Sequence, residues 1–131
     1  MYLIDSSIWI AYFRKKSKLD LRSIVKPSEI YTCLPVYQEV LQGIRDEKHF
    51  HEVKNIMNSF QFVESPLSME VFLSAVEIYR LGRKMGITLR SSIDSLIASC
   101  ALKYRLTVLH SDRDYSNISK FTGLSERNIK V

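Results

Sequence analysis

The feature that most constrains the fold of this chain is the alternation of short apolar segments with longer segments of helical periodicity. Residues 2–4, 30–34 and 107–109 are apolar stretches of strand length, and "QFVES" (61–65) and "NIKV" (128–131) predict two further strands. Strands separated by helices favour a mostly parallel sheet, because parallel neighbours need a crossover connection between them. The sequence therefore predicts an α/β fold with helices covering both faces of the sheet.

The helical segments are recognised by apolar residues that recur three and four positions apart. The clearest case is "SSIDSLIASCALKY" (91–104), where Ile93, Leu96, Ile97 and Cys100 share this spacing. A proline at position 35 suits the first turn of another helix, since its missing N–H has no partner there. Helices are predicted over residues 8–13, 36–44, 49–60, 68–86, 91–104 and 115–121.

Composition narrows the class of protein further. A length of 131 residues with 46% hydrophobic and 25% charged residues predicts a single globular domain over 1–131. No apolar run reaches the ~18 residues of a membrane span, and Asp5 interrupts the apolar N-terminus, so a cytoplasmic protein is expected. Cys33 and Cys100 are expected to be buried thiols. The net charge of +5 is compatible with a polyanionic partner but does not establish one.

Four acidic residues occupy positions that call for an explanation. Glu39 and Asp94 share helical faces with apolar residues, where an isolated carboxylate would be costly to bury. Asp5 and Asp112 each follow an apolar strand, and therefore lie at the carboxyl edge of a parallel sheet, where α/β folds bind ligands. Taken singly, the first two could reach solvent from the edge of an apolar stripe, and the last two could be helix caps or turn residues.

The same four acids, taken together, favour a metal site. Carboxylates that converge at one edge repel one another and raise one another's pKa values unless a cation compensates. Oxygen ligands favour Mg²⁺, with Mn²⁺ as a possible substitute, over zinc. A zinc site is a weaker alternative, because His49 and His51 point to different sides of a helix and His110 is expected to pack beside its strand neighbours.

Four segments, in this order, resemble the PIN-domain nucleases and in particular the VapC-type toxins of toxin–antitoxin pairs. By position, Asp5, Glu39, Asp94 and Asp112 resemble the acidic quartet of that family, and Ser7 matches a hydroxyl residue two places after the first acid. The resemblance implies a PIN-like three-layer α/β/α fold, Mg²⁺-dependent cleavage of RNA, a small antitoxin as inhibitor and a homodimer. The segments are "YLIDSSIWI" (2–10), "PVYQEVLQGI" (35–44), "GITLRSSIDSLIASCAL" (86–102) and "TVLHSDRDY" (107–115).

Other positions match the family less uniformly. Arg90 matches a basic residue often found ahead of the third acid, and Asp114 matches a second acid that is not always present. The chain departs from the pattern at His110, where threonine is frequent, which leaves Ser111 as a candidate for the hydroxyl role. It also departs at Tyr115, where phenylalanine is usual, a change expected to keep the aromatic packing.

These assignments give a mechanistic hypothesis. Asp5, Asp94 and Asp112 are expected to hold one or two Mg²⁺ ions that activate water to cleave an RNA phosphodiester bond, and Glu39 to orient that water or complete a second metal site. Because this cluster of acidic side chains repels RNA, a basic surface nearby is expected to bind the RNA. The candidates for that surface are Arg14, Lys15, Lys16 and Lys18.

Two other functional classes remain open from the residues alone. Receiver-like and phosphatase-like α/β domains also gather acids around Mg²⁺, but Ser7 stands where a phosphatase would have its second acid. A non-catalytic module that binds RNA or protein would use the acids only as caps and salt-bridge partners. That module would not bind a divalent metal saturably, which makes metal binding the discriminating measurement.

Overall fold

The computed structural model describes all residues from 1 to 131 and contains five strands and six α-helices. The strands are β1 (Tyr2–Ile4), β2 (Ile30–Thr32), β3 (Gln61–Phe62), β4 (Thr107–His110) and β5 (Glu126–Asn128). The helices are α1 (Ser6–Tyr12), α2 (Leu34–Gln42), α3 (Glu47–Asn58), α4 (Met69–Lys84), α5 (Ser92–Tyr104) and α6 (Arg113–Ser119). Two short 3-10 turns, Leu21–Ser23 and Pro27–Glu29, connect α1 to β2.

All five strands pair in parallel, in the order β3-β2-β1-β4-β5. The chain builds the sheet outward from β1 to β3 and then returns to add β4 and β5 on the other side. The strand order therefore reverses between β1 and β4, which is the place where open α/β sheets bind ligands at their carboxyl edge. The predicted α/β fold, with a parallel sheet flanked by helices, is confirmed.

The core is built around the two central strands and helix α5. Leu3, Ile4, Val108 and Leu109 are completely buried, as expected for strands that are covered on both faces. In α5 every residue from 94 to 101 is buried, so this helix is enclosed on all sides rather than lying on the surface. An acidic residue in its first turn is therefore carried into the interior.

Two predicted boundaries differ from the observed ones because the residues at the start of a helix place that start earlier than predicted. The second strand ends at Thr32 rather than at residue 34, because α2 already begins at Leu34 with Pro35 in its first turn. Helix α3 begins at Glu47, ahead of the predicted residue 49, because the side chain of Asp46 accepts a hydrogen bond from a backbone N–H of the first turn, at 2.8 Å.

The last two elements also differ from prediction. Helix α6 begins at Arg113 instead of residue 115, because the preceding aspartate caps it. The final strand covers Glu126–Asn128 and overlaps the predicted segment 128–131 only at its last residue. Its register explains the shift: Asn128 pairs with His110, the last residue of β4, so the following residues extend beyond the edge of the sheet.

Two expectations from composition can be compared with the structure. Cys33 and Cys100 are both buried and carry free thiols, which confirms the prediction for them. None of the helices has both the length and the apolar character that crossing a membrane requires.

Candidate metal centre

The aspartates of the predicted site lie at the starts of helices at one edge of the sheet. Asp5 follows β1 and is the N-cap of α1, while Asp112 follows β4 and is the N-cap of α6. Asp94 lies in the first turn of α5. β1 and β4 are the two strands at the reversal of strand order, so the topology brings these carboxylates from distant parts of the chain to one place.

Three of the carboxylates form a compact group. Oxygens of Asp94, Asp112 and Asp114 all lie within 4.8 Å of one another. Asp5 joins the group through Tyr115, whose hydroxyl donates to Oδ1 of Asp5 at 2.6 Å and lies 3.4 Å from Oδ1 of Asp94. Oxygens held about 2.1 Å from one Mg²⁺ ion lie about 3–4 Å apart around it, so Asp94, Asp112 and Asp114 are close to the spacing that an ion needs. Asp5 lies outside this group of three and adjoins it through the Tyr115 hydroxyl.

Asp5 is held in place by hydrogen bonds to both of its oxygens. Its Oδ2 accepts the backbone N–H of Ser7 at 3.0 Å and the Ser7 hydroxyl at 2.6 Å, while Tyr115 donates to Oδ1. The Ser7 oxygen in turn accepts the backbone N–H of Ser111 at 3.1 Å. Ser7 thus joins the turn after β1 to the turn after β4, and Ser111 contributes to this link through its backbone.

Glu39 lies at the margin of the group. It is half-buried on α2, and its Oε1 accepts a hydrogen bond from the Ser6 hydroxyl at 2.9 Å. Burial raises the pKa of Glu39, and the negative charges of Asp5 and Asp112 add to that shift, against the opposing effect of the Ser6 hydrogen bond. The glutamate therefore belongs to the same electrostatic environment as the aspartates.

Asp94 shows most clearly how strongly these carboxylates interact. Its side chain is almost completely buried, and this burial, followed by the charges of Asp5, Asp112 and Asp114, raises its pKa from 3.8 to about 8. At neutral pH the metal-free site therefore keeps a proton that a divalent cation would displace. An oxygen-only donor set with this excess of negative charge fits Mg²⁺ or Mn²⁺.

Arg90 partly neutralises the two acids around the start of α6. Its Nη2 lies 2.7 Å from Oδ1 of Asp112, and its backbone N–H donates to Oδ2 of Asp114 at 3.0 Å. Its Nε also lies 3.7 Å from Oδ1 of Asp114, so both oxygens of this buried aspartate face Arg90. The arginine side chain is 57% exposed, which leaves part of the guanidinium open to an anion from solvent.

The four predicted RNA-binding residues lie together, but apart from the acids. They are exposed at the end of α1 opposite to Asp5, about 10 Å away by the length of that helix. With Lys130 they line a cavity of about 420 Å³. The residues are Arg14, Lys15, Lys16 and Lys18.

The structure places further polar residues in the site that sequence reasoning did not assign to it. Nδ1 of His110 accepts the backbone N–H of Asp112 at 3.1 Å, and its Nε2 is hydrogen-bonded to Glu126 of β5. Tyr115 bridges two carboxylates, and Ser6 supports a third. His110 and Tyr115 were expected only to pack against their neighbours, and these polar contacts are additional to that packing. No sequence signal singled out Ser6 or Glu126.

Comparisons with known proteins agree with this architecture. Residues 2–121 match the PIN domain. Ribonuclease VapC11 of Mycobacterium tuberculosis is 29% identical over 135 residues, covering 99% of this chain and 100% of that protein. DNA-bound VapBC from Salmonella typhimurium superposes with a TM-score of 0.78 at 14% identity, covering 97% of this chain and 96% of that one.

A further solved structure has the same fold. VapBC-5 from Mycobacterium tuberculosis, a member of the VapBC family of toxin–antitoxin systems, has a TM-score of 0.72 at 14% identity, with 97% of each chain covered. At such low identity these structures show similarity of fold alone, while the domain match spans nearly the whole chain. The chain belongs to the PIN domain family.

Proposed function

We propose that this protein is a metal-dependent endoribonuclease toxin that is held inactive by a cognate antitoxin. The observation that carries the proposal is the convergence of Asp5, Asp94 and Asp112 at the carboxyl edge where the strand order reverses. Membership of the PIN family and similarity to a protein named ribonuclease VapC11 support it. Family membership also argues against the receiver-like and phosphatase-like alternatives.

In this proposal the aspartates hold Mg²⁺ while the other residues orient the reacting groups. When bound, the ion lowers the pKa of water beside it and offsets the negative charge that develops on the leaving oxygen. Glu39, fixed by the Ser6 hydroxyl, orients the attacking water and accepts its proton, a role favoured by its raised pKa. The exposed part of Arg90 contacts the RNA phosphate, and its other bonds keep Asp114 in a supporting role.

The experiment that tests this function is cleavage of RNA by the purified protein, first in EDTA and then with Mg²⁺ or Mn²⁺ restored. We expect cuts at discrete positions only with metal, and their loss in Asp112→Asn, whose amide can still cap α6. Sequencing the 5′ ends of cellular RNA after induction would identify the substrate. Cleavage that survives EDTA would contradict the proposal. Lack of saturable Mn²⁺ binding in calorimetry would favour a non-catalytic binding module.

RNA binding at the basic end of α1 should depend strongly on salt. Replacing Lys15, Lys16 and Lys18 by glutamine should weaken binding of single-stranded RNA in EDTA. The negative slope of log affinity against log salt should become shallower by ~2, because each lost phosphate contact removes ~0.7 from its magnitude. Fluorescence anisotropy over a salt series measures this slope. A charge-matched triple variant, Lys26→Gln with Lys54→Gln and Lys120→Gln, controls for net charge. Equal slopes in the two variants would refute the basic surface.

We also propose a homodimer, supported by an apolar surface on α4. Phe72, Leu73 and Val76 are each about half exposed there, and the groove between α4 and α5 has a volume of about 540 Å³. Contiguous exposed apolar surface of this kind marks protein interfaces. Val76→Asp should convert a dimer to a monomer in light scattering, whereas Ile56→Asp, at a comparably exposed apolar position on α3, should not. A monomeric wild type would contradict the dimer.

The remaining parts of the proposal concern the partner, the location and the extent of the domain. A small antitoxin encoded beside this chain would co-purify with it and suppress cleavage, in keeping with the toxin–antitoxin systems of its structural relatives. The RNA substrate and this partner imply a cytoplasmic location. Residues 1–131 form a single domain in this proposal, because β5 belongs to the same sheet although it follows the matched segment.

A further inference from the structure

Tyr115 lies between two carboxylates that come from distant parts of the chain. Its side chain has no exposed surface, and its hydroxyl donates to Oδ1 of Asp5 at 2.6 Å while lying 3.4 Å from Oδ1 of Asp94. A hydroxyl can donate its proton to one oxygen and still offer lone pairs to another group, so it can stand between two acids that would otherwise repel each other.

The hydrogen bonds of Asp5 fix the plane of its carboxylate from both sides. Ser7 donates twice to Oδ2, and Tyr115 donates to Oδ1. A carboxylate oxygen has two lone pairs, so Oδ1 can accept the tyrosine proton and still have a lone pair for a cation. The tyrosine therefore orients Asp5 without blocking it.

His110 holds the backbone of Asp112, whereas Tyr115 holds the carboxylate of Asp5. The imidazole is completely buried, and its Nδ1 accepts the backbone N–H of Asp112 at 3.1 Å. Because Nδ1 is the acceptor, Nε2 carries the ring proton and donates a hydrogen bond to Glu126 of the neighbouring strand. The histidine thus ties the turn that carries Asp112 to β5.

The two side chains also pack against each other. The ring centroids of His110 and Tyr115 are 5.0 Å apart, with an angle of 46° between the ring planes. A displacement of one ring would therefore shift the other ring, and with it the aspartate that is hydrogen-bonded to that ring's residue.

We propose that Tyr115 and His110 are a pair of positioning residues, which together fix the spacing of the three aspartates before a cation binds. The inference rests on the metal site proposed above. Neither residue contacts the ion or the RNA; Tyr115 acts through the carboxylate of Asp5, and His110 acts through the backbone of the turn that carries Asp112. Outer partners of this kind typically change metal affinity by about 10–100-fold when they are removed.

The first test removes only the tyrosine hydroxyl. Tyr115→Phe keeps the ring, so we expect a folded protein whose Mn²⁺ affinity in calorimetry is about tenfold weaker, with the KM for RNA unchanged at saturating Mg²⁺. Tyr104→Phe is the matched control, because the Tyr104 hydroxyl also donates to a buried carboxylate, Oε1 of Glu64 at 2.8 Å, away from the site. The control should bind Mn²⁺ as the wild type does.

The second test separates the two nitrogens of His110. His110→Asn can offer an oxygen near the position of Nδ1 and keep the bond to the Asp112 N–H, whereas His110→Gln reaches Glu126 and loses that bond. We expect the asparagine variant to retain Mn²⁺ affinity within about threefold and the glutamine variant to lose about tenfold. Rescue by asparagine alone distinguishes positioning of Asp112 from a general packing role.

The outcomes separate this inference from the function on which it rests. If the wild type binds Mn²⁺ and Tyr115→Phe binds it equally well, the tyrosine is not a positioning residue and the metal site stands. If Tyr115→Phe does not fold, equal Mn²⁺ affinities of the two His110 variants overturn the inference. If the wild type itself binds no Mn²⁺, the metal site and this inference are both wrong.

Discussion

Replacing Asp94 by asparagine is expected to change activity and stability in opposite directions. Cleavage of RNA should fall by more than the roughly 10–100-fold that loss of an outer partner causes, because the site would lose a proposed, charged metal ligand. The metal-free protein should become more stable at pH 8, because burial and the neighbouring aspartates make ionised Asp94 costly to the folded state. Initial cleavage rates with Mg²⁺ and thermal unfolding in EDTA measure the two effects on the same preparations.

The pH dependence of the stability of the metal-free wild type follows from the same raised pKa of Asp94. Asp94 ionises near 3.8 in the unfolded chain and near 8 in the folded protein, so between these values the folded state binds more protons. The free energy of unfolding should therefore fall as the pH rises from about 4 to about 8, and then level off. The raised pKa of Glu39 acts with the same sign.

Unfolding experiments over this pH range have a direct control. Asp94→Asn should remove most of the slope, whereas Asp20→Asn, at an exposed position, should leave it unchanged. Glu64 affects only the acidic end of this range, because hydrogen bonds from Ser68 and Lys103 lower its pKa to about 2, and its stabilising effect is lost as the pH falls below about 5. The slopes are therefore compared between about pH 5 and pH 8. A full slope in Asp94→Asn would show that this residue is not the buried, protonated group.

Asp5→Asn is expected to reduce Mg²⁺-dependent cleavage by more than the roughly 10–100-fold that loss of an outer partner causes, while leaving the fold intact. The amide oxygen can still accept the Ser7 N–H and cap α1, but the charge that attracts the cation is gone. Asp5→Ala should be equally inactive and also less stable, by about 1 kcal/mol for the lost cap, with a further cost for the lost hydrogen bond from the Tyr115 hydroxyl. Cleavage assays and chemical unfolding of both variants measure these effects.

A cap far from the site separates the structural role of Asp5 from its proposed role in a metal centre. The side chain of Asp46 caps α3 by accepting the His49 N–H at 2.8 Å. Asp46→Ala should lose about 1 kcal/mol of stability with no change in cleavage rate. Cleavage by Asp5→Asn at the rate of the wild type would refute the assignment of Asp5 as a metal ligand.

The parts of the site that could be predicted were the acidic residues whose place follows from coming after a strand in the sequence. Each acid that directly follows a buried strand has to lie at the carboxyl edge of a parallel sheet, which is why Asp5 and Asp112 could be placed without coordinates. The burial of Asp94 was harder to judge. The periodicity of large apolar side chains indicates which face of a helix is buried, but it does not reveal that small residues such as Ala98 and Ser99 let neighbours pack closely around α5. Ser99 also donates a hydrogen bond to a backbone carbonyl of α4.

The contacts that could not be predicted join residues about a hundred positions apart. The Ser7–Ser111 bond depends on the register between β1 and β4, and the Tyr115–Asp5 bond depends on how α6 packs against the turn after β1. Neither is encoded in local spacing. The edge strand β5 was misplaced for a related reason, since "ERN" carries no apolar signal and takes its position from pairing with β4.

The hydrogen bonds that hold the aspartates have a kinetic consequence. Amide and hydroxyl donors already immobilise these side chains in the metal-free protein, so the conformational entropy of arranging the ligands is lost during folding and not during ion capture. In the proposed metal site, loading should then be a single concentration-dependent step without a slow rearrangement of the backbone. Its rate should be limited by the departure of water from the incoming ion.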